Sequence, residues 1–178
     1  QTLPILDVAY KGDALDPRSR DLAAGLLLGE LAFGPTSELY KKLVIRQQKV
    51  EFLAAQFPIN RDAPLWEIVA MVKKVEDVAS VREEIYRTLE EFKTTPVDSK
   101  RLDHVKRHNK YAFLMDLDSP NNVAESLARL VALTGGIEVV EELYAEMDQV
   151  GPQDIVRATK KYFDPKHRTV VVLKGAQQ

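Results

Sequence analysis

Two histidines spaced four residues apart are the side chains of this sequence whose types and spacing best suit catalysis. His104 and His108 would lie on one face of a helix, the arrangement in which two imidazoles bind zinc. A catalytic zinc site also needs a third ligand and a glutamate as general base, but Lys106 and Arg107 stand beside this pair. Because cations repel a divalent metal ion, we interpret the segment as a solvated basic helix. We predict no catalytic residue, no metal ligand and no cofactor in this chain.

A cluster of cations could instead bind nucleic acid. Its members are Lys100, Arg101, Lys106, Arg107 and Lys110. An RNA-binding domain of comparable strand and helix order needs several aromatic side chains on its central strands, and the corresponding stretch 51–56 has one, Phe52. The formal net charge of −2 gives no general attraction to polyanions. We therefore favour a solvated helix face and predict no nucleic-acid partner, with an RNA-binding α+β module as the weakest alternative.

The length and composition of the chain indicate its domain number and exclude some kinds of site. The 178 residues are enough for one hydrophobic core, so we predict a single domain over residues 1–178. There is no cysteine, which excludes disulfides and thiolate metal sites. We expect no membrane span, since no apolar run reaches the required length. The sequence opens on Gln1-Thr2 without an initiator methionine, and we expect it to be an excised part of a longer protein.

Hydrophobic periodicity predicts strands and helices in the order strand, helix, strand, strand, several helices, strand. The expected strands are Leu3–Lys11, Val50–Ile59, Leu65–Lys74 and Arg168–Lys174. The expected helices are Arg18–Phe33, a short turn after Ser37, a helix from Asp77 past Phe92, Asp98–Asp116, Ser119–Thr134, Glu138–Met147 and Pro152–Phe163. This order predicts an α+β fold of two layers, an antiparallel sheet with helices packed on one face.

Local signals place several residues within these elements. Asp16 before Pro17 is typical of a helix start, and Asp77 is expected to cap a later helix. Trp66 alternates with apolar neighbours and is expected in the core. The run of aliphatic residues in Arg168–Lys174 predicts a buried strand.

The segment from Gly34 to Phe57 combines these signals in an unusual order. Gly34 and Pro35 end an apolar helix, because proline has no amide hydrogen to continue it. Ser37 offers a side-chain oxygen that can cap a short helix. From Val50 onwards the residues are of the types that favour strands.

This segment resembles one in the pitrilysin/insulinase family of zinc metallopeptidases, which includes mitochondrial processing peptidase and the core proteins of the respiratory complex. The family segment is a glycine-rich turn, a serine, and then Leu-Tyr-x-x-Leu, similar here to Gly34–Ser37 followed by Leu39, Tyr40 and Leu43. The resemblance extends over almost the whole chain, from Leu3 to Lys174.

The resemblance implies which positions of this sequence correspond to the catalytic positions of active family members. Active members consist of two homologous halves that close like a clamshell. The first half carries a His-x-x-Glu-His zinc motif, and the second contributes an arginine and, seven residues later, a tyrosine. Aligned on Leu43, these positions are Val44 and Glu51 here, and counting instead from Arg46 leads to Leu53. Neither register supplies the tyrosine, so this chain lacks both catalytic contributions.

The resemblance therefore implies a non-catalytic half, of the C-terminal type, that forms one wall of a peptide-binding clamshell. The residues that would line the cleft are Gly34, Ser37, Val44, Arg46 and Glu51. A simpler interpretation stays open, in which Val44 belongs to the core and Glu51 only faces solvent. The implied partners are a peptide substrate and a homologous zinc-bearing half, in the same polypeptide or in another subunit, and zinc is expected in that half alone.

Two matters stay open at the level of the sequence. One is whether the chain belongs to a peptidase at all, because a purely structural assembly subunit without a peptidase partner would have the same features. The other is the cellular compartment. Bacterial members of such families are often exported, which favours the periplasm.

Overall fold

The computed structural model describes residues 3–174, with the side chains of all of these except 116, 126, 129 and 130. The strands in this range are β1 (Ile5–Lys11), β2 (Val50–Gln56), β3 (Leu65–Val72) and β4 (Arg168–Leu173). The helices are α1 (Arg20–Phe33), α2 (Glu38–Tyr40), α3 (Val78–Thr94), α4 (Ser99–Asp116), α5 (Pro120–Thr134), α6 (Glu138–Gln149) and α7 (Pro152–Tyr162). A π-helical turn, Lys41–Arg46, continues α2. None of the helices in residues 3–174 combines the length and the apolar character that crossing a membrane requires.

The four strands form one sheet in the spatial order β2-β3-β1-β4, and every neighbouring pair is antiparallel. The predicted pairing of β2 with β3 is confirmed, as the short connection between them requires. β1 and β3 are the central strands. β2 and β4 are the edges of the sheet within the described range.

One face of the sheet is the core. The side chains of Leu6, Val8 and Tyr10 from β1 and of Trp66 and Ile68 from β3 are almost fully buried. Helices α1, α3 and α7 bury their apolar residues against this face, and α4 and α6 pack against α1. The predicted α+β fold, an antiparallel sheet with helices on one face, is confirmed.

The helix α1 lies unusually close to the sheet because of its glycines. A Cβ atom built on Gly25 would come within 2.3 Å of the Trp66 ring, and one on Gly29 would come within 3.0 Å of the Phe57 ring. The indole of Trp66 lies between the rings of Phe57 and Tyr162, with centroids 4.7 and 4.5 Å away. Trp66 is therefore the central residue of the core, as its alternation predicts.

The opposite face of the sheet, here named the open face, carries the remaining side chains of the strands. They are Ile5, Asp7, Ala9 and Lys11 of β1, Phe52, Ala54 and Gln56 of β2, Leu65, Glu67, Val69 and Met71 of β3, and Thr169, Val171 and Leu173 of β4. Phe52, Val171 and Leu173 are 45%, 55% and 57% exposed. This face is therefore largely uncovered by the described residues.

Two predicted helix caps differ from those observed. The N-cap of α1 is Ser19, whose side chain accepts a hydrogen bond from the amide of Leu22, and Asp16 instead accepts one from the amide of Arg18 in the preceding turn. Asp77 occupies the N-cap position of α3 without making a side-chain cap, because its carboxylate pairs with Lys49 at 2.8 Å. A long-range ion pair thus replaces a local cap.

The predicted strands β2 and β3 are too long at their C-terminal ends, and the predicted burial of β4 is wrong. β2 ends at Gln56, before Phe57 turns to stack on Trp66, and β3 ends at Val72, which pairs with the first residue of β2. β4 is an edge strand whose valines and leucine are largely exposed. A continuous aliphatic run does not reveal whether a strand has one neighbour or two.

Candidate functional site

The outer edge of β2 is one of the two free edges of the sheet in the described range. β2 pairs with β3 on one side, and no strand of residues 3–174 pairs with the other. An edge strand of this kind presents unpaired amide and carbonyl groups, which can hydrogen-bond to another extended chain. A register shift between Val50 and Phe52 marks a bulge near the start of the strand.

A pocket of about 430 Å³ lies beside this edge. The helices α1, α2 and α4 and the strand β2 enclose it with mostly apolar side chains. Its lining residues are Leu26, Gly29, Glu30, Phe33, Gly34, Pro35, Tyr40, Phe52, Leu53, Ala54, Ala55, Phe57 and Asn109. The pocket can therefore accept apolar side chains of a chain that runs along β2.

The π-helical turn sets the path from the pocket to the strand. The amide of Gln47 donates to the carbonyl of Lys42, five residues earlier, at 2.9 Å, which is the hydrogen bond of a π-helix. Gln48 then adopts a φ of 51°, a left-handed conformation that reverses the chain into β2. Lys42 and Lys49 anchor this turn to α3 and the residue before it through ion pairs with Glu84 and Asp77, both at 2.8 Å.

Of the residues expected to line a cleft, Gly34 and Ser37 lie at the start of this segment. Gly34 ends α1, lines the pocket and donates its amide hydrogen to the carbonyl of Glu30. Ser37 is 1% exposed, and its hydroxyl accepts a hydrogen bond from the amide of Tyr40 at 3.0 Å. Ser37 is therefore the N-cap of α2, as predicted, and its side chain is buried.

The other three expected residues lie apart from the pocket. Val44 is half-buried in the π-helical turn and packs against the rim of the core. Arg46 is exposed and pairs with Glu38 at 3.5 Å. Glu51 is exposed on β2 and pairs with Lys73 at 3.1 Å. The structure therefore gathers only Gly34 into the pocket, and sequence reasoning missed most of the aromatic lining.

The histidines that first suggested zinc lie on the solvent side of α4. His104, Arg107 and His108 are all exposed, whereas Leu102 and Val105 of the same helix are buried. Within the part of the chain that the structure describes, no three metal-ligating side chains come together.

Three of the five cations near these histidines already have acceptors in the protein. Arg101 donates to the carbonyl of Leu31 at 2.5 Å, and Lys106 donates to the carbonyl of Asp148 at 2.9 Å. Lys110 lies 3.7 Å from the carboxylate of Asp148. The cations of α4 thus tie this helix to its neighbours in the fold.

A pair of carboxyl groups lies at the centre of the open face. Asp7 of β1 and Glu67 of β3 are diagonal neighbours, because Asp7 pairs with Val69 and Glu67 pairs with Ala9. Burial raises the pKa of Asp7, an effect that the hydrogen bond with Glu67 only partly offsets. Burial, and then the charge of Asp7, raise the pKa of Glu67. The Oδ1 atom of Asp7 is buried and has no hydrogen-bond partner among the described residues.

Solved structures with this fold include proteases and a chain of complex III2. The chain superimposes on a protease from Helicobacter pylori with a TM-score of 0.86 and 22% identity, over 98% of this chain and 42% of that one. It matches the inactive peptidase domain of a protein described as a zinc protease, from Bordetella parapertussis, with a TM-score of 0.81 and 19% identity, over 100% of this chain and 94% of that one. A chain of complex III2 from Candida albicans is also similar, with a TM-score of 0.77 and 16% identity, over 97% and 43% of the two chains.

These comparisons differ in what they establish. Identities below 25% demonstrate a shared fold, and the chain spans less than half the length of the Helicobacter protease. No match is found among curated protein sequences. The family model described as the peptidase M16 inactive domain matches residues 1–109, more than half of the chain. The resemblance to the pitrilysin/insulinase zinc metallopeptidases is thereby confirmed, and the chain belongs to the family of peptidase M16 inactive domains.

Proposed function

We propose that this chain is the non-catalytic half of a zinc-dependent endopeptidase and that it holds an extended peptide substrate for a zinc-bearing half. The observation that carries the proposal is the free edge of β2 beside an apolar pocket of about 430 Å³. Membership of an inactive-domain family, and solved relatives roughly twice as long as this chain, support the existence of a second half.

Binding of a peptide at the edge of β2 follows from the chemistry of an extended chain. A peptide that adds to the sheet forms backbone hydrogen bonds that do not depend on its sequence. Its side chains alternate between two sides, so that every second one points towards the pocket. The apolar lining around Phe33, Phe52 and Phe57 then favours peptides with apolar residues at alternating positions.

A tryptophan placed at the rim of the pocket tests this proposal. Asn109 is half-buried on α4 and lines the pocket, whereas Asn121 is exposed on α5 and outside the lining. In the full-length protein, we expect Asn109→Trp to raise KM for an unstructured peptide about tenfold, a loss of roughly 1.4 kcal/mol of binding, with kcat nearly unchanged. Asn121→Trp is the matched control and should leave KM unchanged.

Two results would contradict the proposal. Equal KM values for the two tryptophan variants, with both folded by circular dichroism, would mean that the peptide does not lie along β2. A full-length protein that cleaves no peptide even with zinc added would favour the alternative function, a structural assembly subunit.

A further inference from the structure

The pocket beside β2 contains one carboxylate among mostly apolar side chains. Of the described residues that line it, Glu30 alone carries a formal charge, and Glu30 is half-buried. The apolar part of the lining includes the rings of Phe33, Phe52 and Phe57. A charged group in apolar surroundings costs free energy unless a partner replaces its lost hydration. Glu30 therefore indicates a ligand that carries a positive charge.

Within the part of the chain that the structure describes, the carboxylate of Glu30 forms no ion pair and accepts no hydrogen bond. Arg101, a cation near the same end of α1, donates instead to the carbonyl of Leu31. Glu30 also begins the last turn of α1, which contains no basic residue. The C-terminal end of a helix is the negative end of its dipole. The carboxylate and the end of the helix thus both favour a cation in the pocket.

Gly34 leaves the space that this carboxylate occupies. A Cβ atom built on Gly34 would overlap the carboxylate of Glu30. The φ and ψ of Gly34, −67° and 166°, suit any residue, so its backbone conformation does not require glycine. Gly34 is therefore a positioning residue, because the absence of its side chain lets the carboxylate of Glu30 lie where it does.

We propose that the pocket binds a lysine or arginine side chain of the peptide, with its methylene groups against the aromatic rings and its cationic end at the carboxylate of Glu30. This proposal rests on the proposed function, because it names one side chain of the peptide that lies along β2. A long basic side chain combines an apolar stem with a charged end, which matches an apolar pocket with one carboxylate. Cations are also attracted to the faces of aromatic rings.

Other occupants suit the pocket less well. An apolar side chain would exclude water from the carboxylate of Glu30 without replacing the hydrogen bonds that this water makes. An acidic side chain would be repelled by Glu30. A metal ion needs several ligands, and no three metal-ligating side chains come together among the described residues.

Peptides that differ at a single position test this preference. An unstructured, internally quenched peptide carries arginine, norleucine or glutamate at one position, and that position is moved along the peptide. Norleucine keeps the apolar stem and lacks the charge. In the full-length protein, we expect arginine at one position to lower KM about tenfold relative to norleucine, with kcat nearly unchanged, and glutamate there to give the highest KM.

Changing the charge of Glu30 tests its role in this preference. Glu30→Gln keeps the shape of the side chain and should bring the KM values of the arginine and norleucine peptides to within about twofold of each other. Glu30→Lys should reverse the preference in favour of the glutamate peptide. Glu83→Gln is the matched control and should leave the preference unchanged, because Glu83 is exposed on α3 and outside the lining.

Gly34→Ala tests the positioning while Glu30 is still present. The added methyl group should displace the carboxylate and reduce the preference for arginine by about threefold, with little change in Tm, because the end of a glutamate side chain can move. Gly136→Ala is the matched control, since a Cβ atom there would overlap the carboxylate of Glu138 in the turn between α5 and α6, outside this pocket. An unchanged preference in Gly34→Ala would overturn the positioning role of Gly34.

The remaining outcomes separate this proposal from the function on which it rests. If Asn109→Trp raises KM while the arginine and norleucine peptides have equal KM values at every position, the binding of a basic residue is wrong and the proposed function survives. A preference for arginine that persists in Glu30→Gln would place its binding site elsewhere and overturn the proposal. A full-length protein that cleaves none of these peptides with zinc added would overturn both proposals.

Discussion

Leu43, Val44 and Ile45 are consecutive residues of the π-helical turn, and they face three different environments. Leu43 is 1% exposed, Val44 is half-buried at the rim of the core, and Ile45 is 59% exposed. Successive residues of a helical turn point in different directions. A turn at the edge of the core can therefore bury one residue, half-bury the next and expose the one after it. Val44 is thus neither a typical core residue nor a freely exposed one.

Substituting arginine at each of these three positions tests how the cost of a charge changes with the burial of the position. We expect Leu43→Arg to unfold the domain, because it buries an unpaired charge at a cost of several kcal/mol. Val44→Arg should lower the free energy of unfolding by about 1 kcal/mol, since a long side chain at the rim can extend its charge into solvent. Ile45→Arg should change it by less than about 0.5 kcal/mol. Urea unfolding of the isolated chain gives all three values. If Val44→Arg behaves like Leu43→Arg, Val44 is a core residue and is excluded from a cleft wall.

At the scale of elements, the close approach of α1 to β3 depends on residues without side chains. Gly25 lies over the ring of Trp66, and Gly29 lies over Phe57 and Ala55. Glycine inside a helix lowers its stability by about 1 kcal/mol relative to alanine, so propensity alone favours substitution. Packing opposes it, because the indole of Trp66 is fully buried and contacts the rings of Phe57 and Tyr162.

We therefore expect Gly25→Ala to destabilise the domain by about 1–3 kcal/mol in spite of its gain in helix propensity. Gly151 provides the control, because a Cβ atom there would lie 3.7 Å from the nearest side-chain atom and its φ of −102° suits any residue. Gly151→Ala should be nearly neutral. Thermal unfolding of both variants by calorimetry makes the comparison. A neutral Gly25→Ala would mean that α1 can move away from the sheet at little cost.

At the scale of the whole molecule, the proposed peptide-binding edge lies on the sheet, and the histidines that first suggested zinc lie on α4. His104 and His108 are solvent-exposed beside Arg107, and the described residues hold no cluster of metal ligands. Hydrolysis in this family of peptidases depends on zinc, which activates a water molecule. Phe52 and Ala54 of β2 belong both to the lining of the pocket and to the open face.

The isolated chain should accordingly bind no stoichiometric zinc and cleave no peptide. The physical reason is that a pair of imidazoles with cationic neighbours lacks the ligand number that tight zinc binding requires. Metal analysis after chelation, reloading with zinc and desalting measures the first part, and a fluorogenic unstructured peptide measures the second. One tightly held zinc ion per chain would refute the first part. Turnover that a His104→Ala change abolishes would refute the second.

Much of the fold could be predicted from the sequence, because its signals are local. The alternation of Trp66 with its apolar neighbours in β3 and the cap at Ser37 depend on residues at most four positions apart. The sequence of the segment after Gly34 was also distinctive enough to indicate the family, which the family model confirms.

The candidate site, in contrast, depends on residues that only the tertiary structure brings together. Asp7 and Glu67 are sixty positions apart in the sequence and meet because β1 and β3 pair in one register, and a shift by one residue would send one of them to the other face. β4 is exposed because it comes to lie at an edge, and Asp77 loses its cap to Lys49 of another element. The sequence by itself determined which elements form and which of their faces are apolar. Strand order and register decided which edges of the sheet stay free and which charged side chains become neighbours. Both depend on the packing of the whole chain, which local sequence patterns do not determine.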